Sequence, residues 1–325
     1  MNRIRRIQPE DLTEASRHIA ALMDLLARNT RSALDGPPPS ETPQIAESLL
    51  DDGPTSPAES SEGGVMYGSY DDSGTLVHAV VAMPQPGRTA MIFTARPSKR
   101  KLLPDLARVI ETACGAMTPD QATLAQALID PDDDLRRDAL AAAGFTELST
   151  LCYMQKRLGH HAAPPPQQID GISFEPWRPQ AKQDYLHVLE ASYQQTLDCP
   201  GLAGIRRTED VLAGHRGAGE FDPSLWTLMR LHDEPIGVLL LNPVPAADCV
   251  ELVYLGLAHH VRGRGYGALL MQRGMWLCAE RPETYFTLAV DETNTPALAL
   301  YRRFGLRRVT RKLAMIRRLN APTSM

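Results

Sequence analysis

The chain has 325 residues, of which 43% are hydrophobic and 22% charged, with a formal net charge of −5 at pH 7. That length exceeds one ordinary domain and predicts two, in a folded rather than a disordered chain. No apolar run approaches the ~20 residues that span a bilayer, the net acidity gives no general attraction to nucleic acid, and the basic start lacks the apolar core of a secretory signal. The expectation is a cytoplasmic protein with neither membrane nor nucleic-acid partners.

In chain order, Ile4 to Pro9 reads as a short strand and a proline before a helix. Residues 35–64, with PPPSETPQ and DDGPTSPAESSEGG, are too poor in apolar side chains to fold alone and predict an inserted loop. Between Met91 and Glu111 the basic run Arg96-Pro97-Ser98-Lys99-Arg100-Lys101 contains no glycine and is interrupted by Pro97 and Pro104. Gly144-Phe145 then leads into a strand ending at Leu158. The run from Gly159 to Gln168, with three consecutive prolines, predicts a semi-rigid spacer. His160 and His161 within it have no companions at metal-ligand spacing. Domains are therefore expected at 1–158 and 170–325, joined by 159–169.

The second half repeats the outline of the first. Phe174 to Pro179 opens it with a strand and proline, and Gly305-Leu306 leads into a closing strand that ends at Leu319, as far from its glycine as Leu158 is from Gly144. Between them, hydrophobic patterning predicts hairpin strands at Ser224–Leu231 and Pro235–Leu241, a buried strand at Val250–Leu257, a helix from Gly265, a strand at Tyr285–Val290 and a helix at Pro296–Phe304. The order is β-α-α-β-β-β-α-β-α-β. The cysteines Cys114, Cys152, Cys199, Cys249 and Cys278 form no C-x-x-C pair, so neither a disulfide framework nor a zinc site is expected. No other metal is expected.

Arg262-Gly263-Arg264-Gly265-Tyr266-Gly267 falls between the buried strand and the next helix. The first helical turn leaves amides unpaired and carries the positive end of the macrodipole, so an anion can sit there. Gly265 and Gly267 would let a pyrophosphate approach the backbone, while Arg262 and Arg264 could add charge-assisted bonds. The spacing fits neither a Walker A loop nor a dinucleotide fingerprint. By themselves the six residues could equally be a basic turn or a nucleic-acid patch.

The flanks resolve the choice by resemblance. Arg262, Gly265 and Gly267 resemble the Arg/Gln-x-x-Gly-x-Gly/Ala motif of the GNAT acetyltransferase superfamily. Asn294-x-x-Ala297-x-x-Leu300-Tyr301-x-x-x-Gly305-Leu306 resembles its second signature, with Leu306 in place of Phe. A tandem pair with a degenerate first copy is similar to the mycothiol synthase arrangement, although Ala289 stands where that pattern has a tyrosine.

The resemblance implies an α/β (α+β) fold: tandem GNAT-like domains, each a mixed, mostly antiparallel twisted sheet flanked by helices. It implies acetyl-CoA as co-substrate and a small-molecule or peptide amine as acceptor. Leu255, Gly256 and Leu257 would offer backbone groups to pantetheine and the acetyl carbonyl, and Gly263 and Tyr266 complete the pyrophosphate loop. Asn294 would bond the pantetheine arm or cap its helix. Glu251 would be the base, directly or through water, and Tyr301 the acid for the departing thiolate. Leu140 stands at the position matching Tyr301, so no acetyl-CoA is expected in the first domain. An inert CoA-binding module of the same fold is the competing expectation.

Overall fold

A computed structural model describes residues 2–7, 63–159 and 163–319. The expected insertion up to residue 62, and His160 and His161, lie outside the described residues. The chain forms two compact units, one of residues 1–148 with 312–325, the other of residues 149–311.

The first unit holds β1 (Arg3–Arg6), β2 (Val65–Tyr70), β3 (Leu76–Gln85), β4 (Thr89–Thr94), helix α1 (Leu103–Gly115), β5 (Leu124–Ile129) and helix α2 (Asp134–Ala142). Strands β1 to β4 pair antiparallel in sequence order and β4 pairs parallel with β5. Helix α1 buries Leu106, Val109, Ile110 and Ala113, an apolar stripe at helical spacing, against Val80, Ala82 and Ile92 of the sheet.

The second unit holds β6 (Thr146–Arg157), β7 (Ile172–Pro176), α3 (Lys182–Tyr193), α4 (Thr208–Gly217), β8 (Trp226–Leu231), β9 (Glu234–Val244), β10 (Cys249–Leu257), α5 (Tyr266–Leu277), β11 (Tyr285–Asp291) and α6 (Thr295–Arg303). Its strands run in the order β6-β11-β10-β9-β8-β7, antiparallel except for β10 beside β11. From β7 through the last strand, β12 (Arg307–Arg318), the element order is the one expected from the sequence.

The units do not follow one another along the chain. β6 comes directly after α2, yet it pairs with β11 from Leu151↔Asp291 to Arg157↔Tyr285. β12 comes after α6, yet it pairs with β5 from Leu313↔Ile129 to Arg318↔Leu124. Each unit is thus completed by the strand that follows the other unit's last helix.

The internal repeat supplies the reason. Both strands are twelve residues long and follow the same helix end. Gly144 and Gly305 sit at φ +82° and +84°, and Phe145 N–H and Leu306 N–H close onto the carbonyls of Leu140 and Tyr301. Equivalent strands can exchange partners without loss of register.

Candidate functional site

In the second unit β10 pairs with β9 along its whole length, from Cys249 to Leu257, but with β11 only from Cys249 to Leu252. The cause is local. A register shift between Leu252 and Tyr254 bulges the strand at Val253, and a bulge bends a strand away from a neighbour. Beyond it the β11-facing edge of Val253 to Leu257 opens onto a cavity of about 620 Å³. The far wall is α6, the mouth is the turn before α5, and the segment after α3 closes the side.

Most of the residues expected for the site line this cavity: Leu255, Gly256, Leu257, Arg262, Gly263, Gly265, Gly267, Asn294 and Tyr301. Gly263 and Gly265 lie at φ +77° and +87°, a region that other residues enter only with strain, and a Cβ on either would point into open space. Among the described residues, the amides of Gly263, Arg264 and Gly265 make no backbone hydrogen bond. They surround the first turn of α5 and give an anion an amide-lined seat. Arg264 is exposed at the mouth. Tyr266 begins α5 and packs partly into the core.

Two loop residues act differently from the sequence expectation. A Cβ on Gly267 would lie 3.3 Å from Leu300 Cδ2, so this glycine sets the approach of α5 to α6 as well as access to the backbone. Arg262 turns its guanidinium inward. Its Nε donates to Leu257 O at 3.2 Å, Nη1 to Gln194 O and Gln195 O at 3.1 Å, and Nη2 to Ser192 O. Three carbonyls at the end of α3 and one at the end of β10 use most of the fork, leaving little of it for a phosphate. Arg262→Lys is therefore expected to behave like Arg262→Ala, since an ammonium cannot span the same carbonyls. Both should lose about 2 kcal/mol of stability, read from denaturant titration; a lysine variant of native stability would contradict this.

The other walls are specified by packing. A Cβ on Gly256 would fall 2.5 Å from the Tyr254 ring and 2.9 Å from Ser192 Oγ, so only glycine lets the end of α3 close on β10. Tyr254 Oη and Ser192 Oγ are hydrogen-bonded at 2.7 Å. On its other side the Tyr254 ring stacks on His215, centroids 5.0 Å apart. Asn294 caps α6 by accepting from Ala297 N–H at 3.3 Å. Tyr301 is 7% exposed, and burial, with the nearby Asp198 carboxylate adding to it, raises its phenol well above the usual tyrosine range.

Glu251 is placed apart from the other candidates. It does not line the cavity. It is half-buried in the paired part of β10, between Asn242 of β9 and Thr287 of β11, and burial raises its carboxyl. His259 and His260 are exposed in the turn before the loop. Sequence reasoning missed Asp198, which lies on the wall formed by Thr196, Leu197 and Asp198. No motif marks it, because loop packing brings it to the site.

In the first unit the corresponding helix start is held differently. Asp133 caps α2 as Asn294 caps α6, but it is gripped by the buried Arg136 at 2.5 Å and by Arg96 at 3.2 Å. Leu140 is fully buried in the core. Among the described residues no group of three His, Cys, Asp or Glu side chains could hold a metal ion, and no helix is long and apolar enough to cross a membrane.

Residues 186–306 match the family model "Acetyltransferase (GNAT) family". Curated relatives are mycothiol acetyltransferases. The one from Thermobifida fusca is 33% identical over 94 residues, 29% of this chain and 27% of that protein. The one from Segniliparus rotundus is 26% identical over 252 residues, 75% of this chain and 91% of that protein. For the first of these, the match spans about a quarter of the relative's length. Among solved structures, a GCN5-related N-acetyltransferase from Sphaerobacter thermophilus has a TM-score of 0.60 at 17% identity, covering 100% of this chain and 98% of the other. A tandem GNAT protein from the clavulanic acid biosynthesis pathway has a TM-score of 0.54 at 14% identity, covering 100% of both. These two likenesses show a common fold.

Proposed function

We propose that the chain, whose residues 186–306 match the acetyltransferase (GNAT) family model, carries an acetyl group from acetyl-CoA to a primary amine by direct attack. The observation that carries the reading is the opened edge of β10. It supplies unpaired backbone groups beside a cavity whose mouth is the amide-lined turn at Gly263–Gly265 and whose wall holds Tyr301. The pyrophosphate is assigned to the turn, where Arg264 adds charge from the rim. Pantetheine is assigned to the gap between β10 and β11, and the thioester carbonyl to the Leu255–Leu257 backbone. A preorganised donor at a developing oxyanion commonly contributes ~3 kcal/mol.

Tyr301 donates its proton toward the departing sulfur. Its raised phenol remains protonated at neutral pH, as a donor requires. Glu251, outside the cavity wall, can act on the amine only through water. The buried Arg136–Asp133 pair supports a single acetyl-CoA site per chain, in the second unit.

The test is calorimetric titration with acetyl-CoA, followed by thiol release with a panel of primary amines. Gly265→Asp, which strains a positive φ and puts a carboxylate in the anion seat, is expected to weaken acetyl-CoA binding at least 100-fold. Unchanged affinity would overturn the cofactor assignment. Binding without thiol release from any amine would favour the inert module instead.

A further inference from the structure

The cavity wall contributed by residues 196–198 is held by more bonds than an ordinary loop. Gln195 and Cys199, at its two ends, adopt left-handed φ values of 50° and 44°, which cost non-glycine residues ~1 kcal/mol or more each. Arg262 fixes the carbonyls at one end. At the other, the backbone of Cys199 donates to Asp291 Oδ2 at 3.1 Å, while Asp291 N–H donates to Asp198 Oδ1 at 3.0 Å. These reciprocal bonds fix Asp198 against β11 on the cavity wall.

Asp198 is the one carboxylate among the residues lining the cavity. It shares the site with Asp291, which is held differently. Asp291 accepts from Thr293 N–H at 2.8 Å and Thr293 Oγ1 at 2.7 Å, as well as from Cys199. Burial pushes the Asp291 carboxyl up, but these bonds and one from Ser149 outweigh it, so it stays a fixed anion. Burial likewise raises Asp198, and the Asp291 charge adds to the rise, against hydrogen bonds from Asp291 N–H and Asn294. Two neighbouring carboxyls are driven apart in acidity, the pattern that separates a titrating group from a structural one. The remaining titratable groups facing Asp198 are the adjacent Cys199, Tyr193 on α3, Tyr254 on β10 and Tyr301 on α6, with Arg262 and Arg303 also on the cavity wall.

We infer that Asp198 is the direct proton acceptor of the acetyl-transfer site, receiving the proton of the substrate ammonium that Glu251 could reach only through water. The assignment rests on the acetyl-transfer reading above. In the step, the Asp198 carboxylate takes one proton from R–NH3+, and the neutral nitrogen attacks the thioester carbonyl. As the C–N bond forms and the C–S bond breaks, sulfur leaves and takes the Tyr301 proton. The nitrogen's second proton restores Tyr301 through water, and Asp198 releases its own to solvent. Products are the amide, the thiol and one proton.

The experiment compares Asp198→Asn, Glu251→Gln and the unsubstituted chain. Acceptors are ethanolamine, putrescine and D-glucosamine, with hydroxylamine as a nucleophile that is already largely neutral at pH 7. Asp198→Asn keeps the acceptor atom for Asp291 N–H. It is expected to lose at least ~100-fold in kcat/KM with the ammonium-type amines and to lose the acidic limb of the pH profile. The rate with hydroxylamine and the affinity for acetyl-CoA should stay within about 3-fold of the parent.

Asp198→Asn that keeps the parent profile, or that loses acetyl-CoA affinity by the same factor as rate, would overturn the assignment. So would a Glu251→Gln variant that alone removes the acidic limb. A parent chain that binds acetyl-CoA but releases no thiol with any of the four nucleophiles would instead sink the acetyl-transfer reading, a distinguishable failure.

Discussion

Tyr301→Phe is expected to lower kcat by 100-fold or more while leaving the acetyl-CoA dissociation constant within about 2-fold. The ring is part of the buried core with Leu298 and Leu306, and phenylalanine preserves that packing, so stability should change by less than about 1 kcal/mol. Only the hydroxyl is lost. If it donates to the leaving sulfur, the loss falls on the transition state and affects kcat, because the proposed ground-state binding runs through the backbone edge and the Gly263–Gly265 turn.

The raised phenol also fixes a pH expectation. Burial and the Asp198 charge keep Tyr301 protonated beyond the usual tyrosine range. The basic side of the rate profile should therefore show no fall attributable to tyrosine ionisation near its ordinary value of ~10. Steady-state rates with matched calorimetry check both points. A phenylalanine variant with parental turnover would remove Tyr301 from the chemistry and leave it as a packing residue.

The largest stability effect is expected at Asn242→Leu, far from any motif. Asn242 is 0% exposed. Its Oδ1 accepts from Trp226 Nε1 at 2.7 Å, and its Nδ2 donates to His215 O at 2.8 Å and to Ala218 O. Leucine of similar size would leave the indole donor and the Ala218 carbonyl without partners, and the His215 carbonyl with only the long bond from Ala218 N–H at 3.4 Å. At ~1–3 kcal/mol each after partial relaxation, the expected loss is about 3–5 kcal/mol. Trp226→Phe in the same background should recover about 1 kcal/mol, because it removes the orphaned donor.

Function should fall as well. The carbonyls held by Asn242 fix the end of α4, which carries His215, and His215 stacks on the Tyr254 ring that forms part of the cavity wall. Chemical denaturation of the two single variants and the double variant provides the measurement. A loss below about 1 kcal/mol for Asn242→Leu would mean that the carbonyls find other donors.

The second unit was legible because its signals are local. Alternating strands, glycines at the positive-φ positions of the turn before α5 and after α6, an asparagine at a helix start and a tyrosine two turns on can each be read from a short window. Asp198 was not legible, since nothing in Thr196-Leu197-Asp198-Cys199 distinguishes it from a surface turn. Arg262 was legible as to place but not as to orientation. The motif sets it beside the loop, and only the packed ends of α3 and β10 show four carbonyls competing for its donors. The same holds for Glu251, whose strand was anticipated but whose distance from the cavity depends on where β10 leaves β11.

The sequence by itself determined the order of elements in the second unit, the glycine turn at Gly263–Gly265 and the internal repeat, because period, turn chemistry and capping act over a few residues. Tertiary structure alone decided the rest. It decided which strand completes which unit, since repeated strands are interchangeable at the level of sequence. It decided that the Val253 bulge opens the cavity, because pairing and its loss involve two strands at once. And it decided that the carboxylate on the cavity wall is Asp198, since burial and hydrogen bonding are properties of surroundings that the linear chain does not yet possess.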